Sequence, residues 1–292
     1  MHLLITGAWQ DAQRHIPELE KRHEIVFLQQ ERDALPCDPA WVEGVICNGL
    51  FLHHPIESFP NLRYIQLTSA GYDRVPMETV REKGIEIHNA RGVYSVPMAE
   101  FAVAGVLSVY KGLAQFQRQQ ERHVWQKNRG LRELAGKTVV IVGCGDVGRE
   151  CAKRFEAFGC RVLGVNRTVR PTEHFDEVVG LERLDEVLRS ADVAVVTLAL
   201  TEETRGLVKA RLLRPDAVLV NISRGGTVDL SGAQCELLLD VFEPEPLDEQ
   251  SELWDEDNVR ITPHNSFVGD GNGERLWQII AKNLSLSIPS AD

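Results

Sequence analysis

Gly143, Gly145 and Gly148 stand in the pattern G-x-G-x-x-G, directly after an apolar strand-like run at 138–142 and directly before a helix-like segment. The first glycine permits a tight turn, the second lets the main chain approach a pyrophosphate, and the third lets helix pack close on strand. The phosphates then lie at the helix N-terminus, where main-chain N–H groups and the helix dipole favour negative charge. A dinucleotide site that selects NAD places Asp or Glu about 20 residues further on, at the end of the next strand, to bond the ribose hydroxyls. That place is taken here by Asn166, followed by Arg167 and Thr168. Asn does not repel a 2′-phosphate, and Arg167 offers a planar, permanently charged fork suited to one. The expectation is a dinucleotide site that prefers NADP(H), with NAD(H) second. The alternative is that Arg167 and Arg170 are solvated loop charges and NAD binds without the carboxylate.

Short apolar runs at 2–6, 24–28, 44–47, 63–67 and 85–88 alternate with helix-length segments, and the later runs VVIVG, VAVVT and AVLVNIS are apolar on consecutive positions. That pattern belongs to parallel strands covered on both faces. It predicts an α/β protein built from two units with parallel sheets. Residues 95 to about 120 predict one long helix running into a polar linker. A last helix is expected over 274–284, after the turn Gly269-Asp270-Gly271-Asn272-Gly273, which lacks the acidic spacing of a calcium loop. No metal site is expected.

The length of 292 residues suits two domains. With 43 acidic against 32 basic residues the net charge is −11, so the long-range field repels nucleic-acid backbones and anionic lipid, and neither is an expected partner. The N-terminal apolar run is short and has no basic region before it, which argues against a signal peptide or a membrane span and for a cytoplasmic protein. Six cysteines without a C-x-x-C pair, set in apolar or glycine-rich runs, suit reduced structural thiols.

The motifs LTSAGYDRV, HNARGVYSVPMAEF, LAGKTVVIVGCGDVG, TLALTEETRGLV, NISRGGTVD, LDVFEPEPL and ITPHNSF follow one another in that order. On these the chain resembles the D-isomer-specific 2-hydroxyacid dehydrogenase family, which includes phosphoglycerate, glyoxylate/hydroxypyruvate and D-lactate dehydrogenases. The resemblance implies a flavodoxin-like substrate domain over 1–97, completed by a C-terminal helix within 267–292. Over 98–266 it implies a Rossmann-type domain that includes a dimerisation helix and arm at 98–132. The active site would lie between the domains, in a homodimer. Carried over residue by residue, Arg224 is the substrate-binding arginine, Glu245 the catalytic glutamate and His264 the catalytic histidine. Asp240 is the acid that contacts the nicotinamide carboxamide. Asp146 and Val147 face the pyrophosphate, Leu198 and Ala199 lie on the adenine side, and Ile222 and Ser223 lead to Arg224 beside the cofactor. Main-chain N–H groups of Ala70 and Gly71 would hold the substrate carboxylate.

The implied reaction, reduction of a small 2-oxo acid to a D-2-hydroxy acid, calls for these residue types. It needs a hydride at the carbonyl carbon and a proton at the developing alkoxide. Histidine titrates near neutral pH and suits the proton donor. A carboxylate on its other nitrogen fixes the tautomer, and an arginine positions and polarises the substrate. Taken singly, His264 reads as a capping or packing residue, Glu245 as a turn charge and Arg224 as a salt-bridge partner; behind a dinucleotide unit they read together as a site.

One stretch departs from the family. Between Asp229 and Asp240 the sequence is LSGAQCELLL, about two helical turns short. Parallel neighbours need a crossover of about a dozen residues or more, so the link must be short or irregular. The shortened segment 230–239 leaves two alternatives open: a dinucleotide-binding, corepressor-like scaffold, or a catalytically impaired member of the family.

Overall fold

The computed structural model describes residues 1–286. The chain divides into two compact units, one of Met1–Val93 with the segment from Gly269 onward, the other Tyr94–Val268.

The first unit is built on β1 (His2–Thr6), β2 (Glu24–Leu28), β3 (Gly44–Cys47), β4 (Tyr64–Leu67) and β5 (Glu86–His88), with α1 (Ala12–Leu19) and α2 (Met77–Glu82). All five strands are parallel, in the order β2-β1-β3-β4-β5, the flavodoxin-like order. β3 and β4 are buried at every position, as strands covered on both faces must be. At the C-terminal ends of β1 and β3 the Glu31 carboxylate accepts from Thr6 Oγ1 (2.8 Å) and from the N–H groups of Asn48 and Gly49 (both 2.7 Å). The closing helix, Asn272–Asn283, is fixed by Trp277, whose ring stacks on His15 at 4.3 Å between centroids, while His15 stacks on Trp9 at 5.5 Å.

The second unit opens with α3 (Ser95–Tyr110) and α4 (Leu113–Glu121). The single long helix expected from 95 to about 120 is therefore broken. Gly112, at φ +60°, enters the left-handed region that ends a helix, and the two pieces bend by 62°. α3 is held by packing on the helix Asp146–Ala157. Beyond α4 the chain runs without a regular element to residue 137 and leaves Trp125 97% exposed. Among the described residues no single helix is long and apolar enough to cross a membrane.

The sheet that follows is formed by β6 (Thr138–Val142), β7 (Arg161–Val165), β8 (Glu177–Val179), β9 (Val193–Val196), β11 (Val218–Asn221), β13 (Glu236–Leu239) and β14 (Val259–Ile261); β10 (Val208–Lys209) and β12 (Val228–Asp229) pair separately. Its order is β14-β13-β11-β9-β6-β7-β8, parallel throughout. α5 (Asp146–Ala157) and α6 (Leu184–Ser190) cover opposite faces. The chain reverses its direction of winding between β6 and β9, and ligands of such sheets bind beyond the strand ends at that point.

The short crossover is accommodated. Residues 222–235 join β11 to β13 through a 3-10 turn at Gly225–Thr227 and strand β12, with no α-helix, and the two strands still pair in register from Val218↔Glu236 to Asn221↔Leu239. Leu238 packs toward α3 opposite Gly105, where an added Cβ would meet Leu238 Cδ1 at 2.9 Å. On the other face a cavity of about 530 Å³ opens, lined by Leu230, Leu239, Val241, Phe242, Leu247 and Leu253 among others.

All six cysteines are free, five of them buried. Burial pushes the thiols of Cys144, Cys160 and Cys235 up to about 11, so they stay protonated at neutral pH.

Candidate active site

Strand β6 delivers Gly143 into a turn at φ +105°, a conformation that favours glycine. Thr197, just after β9, donates from Oγ1 to Gly143 O at 2.7 Å and pins the turn. Gly148 packs so tightly that a Cβ there would stand 2.0 Å from Gly143 O. Gly145 differs: a Cβ there would meet nothing within 4 Å, and α5 begins with no side-chain cap. The turn is thus closed behind and open in front, which fits a dinucleotide whose pyrophosphate meets Gly145, Asp146 and Val147. Asp146 forms an ion pair with Arg149 one turn along the helix, and Val147 packs into the α3–α5 layer.

Asn166 follows β7, and its Nδ2 donates to Thr168 O at 3.1 Å, folding the short loop that carries Arg167. The Arg167 side chain is 82% exposed, with Glu203 at 3.6 Å. Leu198 packs on the core, and Ala199 O accepts from Thr204 Oγ1 at 2.7 Å. Ile222 and Ser223 are buried, and Ser223 Oγ donates to Asn221 Oδ1 at 2.8 Å. Arg224 follows with its guanidinium donating from Nη1 to Ser223 O at 2.8 Å.

At the end of β13 the chain turns through Asp240 into the segment bearing Glu245, and at the end of β14 it reaches His264. His264 Nδ1 lies 2.7 Å from Glu245 Oε2, and Glu245 Oε1 accepts from Phe242 N at 2.9 Å. The imidazole is thereby oriented by a carboxylate that is itself tied down. The edge of Phe267 meets both the His264 ring and the Tyr94 ring, each at 5.9 Å between centroids. Burial raises the Tyr94 phenol above its ordinary value.

Asp240 is 1% exposed. Its carboxylate accepts from Thr262 Oγ1 (2.6 Å), Asn265 N (2.8 Å) and Ser266 N (2.9 Å), and its carbonyl accepts from His264 N at 2.8 Å. It therefore clasps the loop in which His264 holds φ +50°. Sequence reasoning did not foresee this clasp, because it joins residues more than 20 positions apart. The approach of Gly225 to Phe242, where a Cβ would stand 2.2 Å from the Phe242 carbonyl carbon, also went unforeseen. It couples the Arg224 turn to the Glu245 segment.

Ala70 and Gly71 belong to the first unit. They follow β4 in a loop held by Asn89 Nδ2 donating to Ala70 O at 2.6 Å and Ser69 Oγ donating to Gly71 O at 3.2 Å. Among the described residues no group of three or more His, Cys, Asp or Glu side chains could hold a metal ion.

Comparison with known proteins agrees with this architecture. Residues 103–266 match the model of the D-isomer specific 2-hydroxyacid dehydrogenase, NAD binding domain. A glyoxylate reductase of Pyrococcus horikoshii is 31% identical over 248 residues, 78% of this chain and 74% of the relative. A D-isomer specific 2-hydroxyacid dehydrogenase family protein from Aeromonas salmonicida superposes with a TM-score of 0.81 at 27% identity, covering 100% of this chain and 98% of that one. An enzyme of the same description from Xanthobacter autotrophicus, solved with NADPH and MES, gives a TM-score of 0.78 at 26% identity, with 100% and 98% covered. The chain belongs to the D-isomer specific 2-hydroxyacid dehydrogenase family. It is an NAD(P)-dependent oxidoreductase acting on the CH–OH group of small 2-hydroxy acids and on the corresponding 2-oxo acids.

Proposed function

We propose that the protein reduces a short 2-oxo acid, of the glyoxylate or hydroxypyruvate type, to the D-2-hydroxy acid with NADP(H), and accepts NAD(H) less well. The observation that carries the reading is the 2.7 Å contact of His264 with Glu245 at the strand ends of a dinucleotide-binding sheet. A reduced nicotinamide coenzyme, its pyrophosphate held at the Gly143–Gly148 turn, would supply the hydride. His264, with Nδ1 engaged, gives its proton from Nε2 to the carbonyl oxygen as negative charge develops there. Glu245 holds the imidazole in the required tautomer and stabilises its protonated form. Arg224 binds the substrate carboxylate and polarises the carbonyl, and the N–H groups of Ala70 and Gly71 are further donors for the carboxylate.

In this reading the first unit is the substrate domain and the second the cofactor domain. Asn166, Arg167 and Thr168 receive the 2′-phosphate. Leu198 and Ala199 border the adenine, and Ile222 and Ser223 border the nicotinamide half, where Asp240 meets the carboxamide. The exposed apolar side chains Leu113, Val124, Trp125 and Leu131 support a homodimer formed through the 98–132 arm, and buried protonated thiols suit the cytoplasm. The glyoxylate reductase relatives and the neighbour solved with NADPH support the substrate and cofactor choices.

The test is an initial-rate screen of NADPH against NADH over glyoxylate, hydroxypyruvate and bulkier 2-oxo acids, repeated with His264→Ala. Turnover of the small acids with NADPH, lost in the variant, is expected. Tight NADPH binding without turnover of any acid would overturn the reading and favour a dinucleotide-sensing scaffold.

A further inference from the structure

The segment that presents Glu245 has little behind it. Phe242, Glu243, Pro244, Leu247 and Leu253 line the 530 Å³ cavity, and the crossover across from them, residues 225–230, contains no α-helix. Besides His264, Arg205 reaches this segment from elsewhere in the fold. Arg205 donates from Nη1 to Glu243 Oε2 at 2.5 Å and from Nη2 to Glu243 Oε1 at 3.2 Å. This two-pronged geometry is the strongest form of such a pair.

The root of Arg205 is itself fixed. Gly206 N donates to Gly226 O at 2.8 Å, and β10 pairs with β12 immediately afterwards. The ion pair lies against Gly226, where a Cβ would come within 2.4 Å of Glu243 Oε2 and 3.0 Å of Arg205 Nη1. Three stretches of chain, 205–209, 225–229 and 242–245, are thus laced together. Two residues beyond Glu243, Glu245 makes its contacts with Phe242 N and His264. Arg205 in turn holds the Glu243 carboxyl below its ordinary range.

We propose that Arg205 is a positioning residue for the acid/base pair: by gripping Glu243 it fixes the segment that presents Glu245 to His264, a task that a crossover without an α-helix leaves undone. The proposal rests on the function proposed above. Arg205 and Glu243 are about half exposed, at 50% and 48%, so salt weakens their attraction.

Arg205→Gln, Glu243→Gln, the double variant and Arg205→Lys are compared with the wild type in two measurements. The first is kcat and KM for a small 2-oxo acid across pH. The second needs no turnover: titration of His264 by 15N resonance of histidine-labelled protein, assigned against His264→Gln. In Arg205→Gln, kcat should fall on the order of 10-fold with KM little changed, short of the roughly 100-fold that a 1 Å misplacement brings. The pH profile of kcat/KM and the His264 ring 15N resonances should both change, toward those of Glu245→Gln. The double variant should be no worse than either single one, as for residues acting through one contact. Arg205→Lys should recover part of the loss, because one ammonium cannot make the two-pronged contact. A wild-type His264 titration in Arg205→Gln would overturn the proposal, whatever its rate. A wild type that reduces no 2-oxo acid would overturn the proposed function instead, and the titration would still decide the role of Arg205.

Discussion

His264 Nδ1 and Glu245 Oε2 lie 2.7 Å apart although 19 positions separate the residues in sequence. The carboxylate is spent at both ends, on the imidazole and on Phe242 N, so Nε2 is the nitrogen for exchange with substrate. Replacing His264 by Gln should lower kcat by about 10² to 10⁴, the usual worth of a positioned general acid. Glu245→Gln should cost less and leave a signature in pH. A carboxylate beside an imidazole favours its protonated form. Without it the imidazole loses that support, and the pH profile of kcat/KM for reduction should change. Rate profiles between pH 5 and 9 measure both effects; an unchanged profile in Glu245→Gln would count against the assigned roles.

Arg167 is expected to set the coenzyme preference. Its side chain, after β7, is 82% exposed, with Glu203 at 3.6 Å. A charged hydrogen bond is worth about 1.5 to 3 kcal/mol, so Arg167→Ala should raise KM for NADPH roughly 10- to 100-fold and leave NADH unchanged. Asn166→Asp adds a charge that repels the 2′-phosphate and bonds the ribose hydroxyls, and should invert the ratio of kcat/KM for the two coenzymes. Parallel initial-rate measurements decide it.

The sheets were legible because β9 and all of β6 after Thr138 are apolar at consecutive positions, as expected of a parallel strand covered on both faces. The glycine turn was legible for a similar reason, since strand, turn and helix stand in immediate sequence. The break at Gly112 was not, because a glycine inside an apolar run looks the same whether it stays helical or turns left-handed. The clasp of Asp240 on the His264 loop and the grip of Arg205 on Glu243 were also illegible. Each joins segments brought together only by the sheet order, and neither aspartate nor arginine carries a local signal of its long-range partner. The crossover was visible as a deletion, but its consequence, a cavity on one face and Gly105 yielding to Leu238 on the other, depends on packing that a one-dimensional pattern does not contain.

The first unit should lose stability on mild acidification. Burial holds the imidazoles of His15 and His23 below their ordinary 6.5, and among the described residues neither ring nitrogen of His23 has a hydrogen-bond partner. As pH falls past 6.5 the unfolded chain takes up protons that the folded chain refuses, so stability is full above that value and declines until the folded groups also titrate. The carboxylates held low, Glu43 in this unit and Glu186, Asp229 and Glu243 in the other, keep their stabilising contribution until the pH nears their ordinary values of 4.5 or 3.8 and lose it only at more acid pH. Thermal unfolding at pH 7.5 and 5.5 should therefore differ, and His23→Leu should narrow the difference.

The three glycines of the dinucleotide turn should separate into two that serve packing and one that serves the ligand. Gly148→Ala drives a Cβ into the carbonyl of Gly143, which is main chain pinned by Thr197 and cannot yield cheaply. Overpacking of this kind costs about 1 to 3 kcal/mol, and Tm should fall by several degrees whether or not coenzyme is present. Gly143→Ala should behave alike, since its φ of +105° disfavours any side chain. Gly145→Ala meets nothing within 4 Å and sits at an ordinary φ of −75°, so the Tm of the coenzyme-free protein should stay put. Its methyl group would nevertheless occupy the space a pyrophosphate needs. Coenzyme affinity should drop by at least roughly 10-fold, about 1.4 kcal/mol, and the rise in Tm on adding NADPH should shrink with it. Calorimetry of the three variants with and without NADPH distinguishes the cases, and an unchanged NADPH affinity in Gly145→Ala would place the phosphates elsewhere.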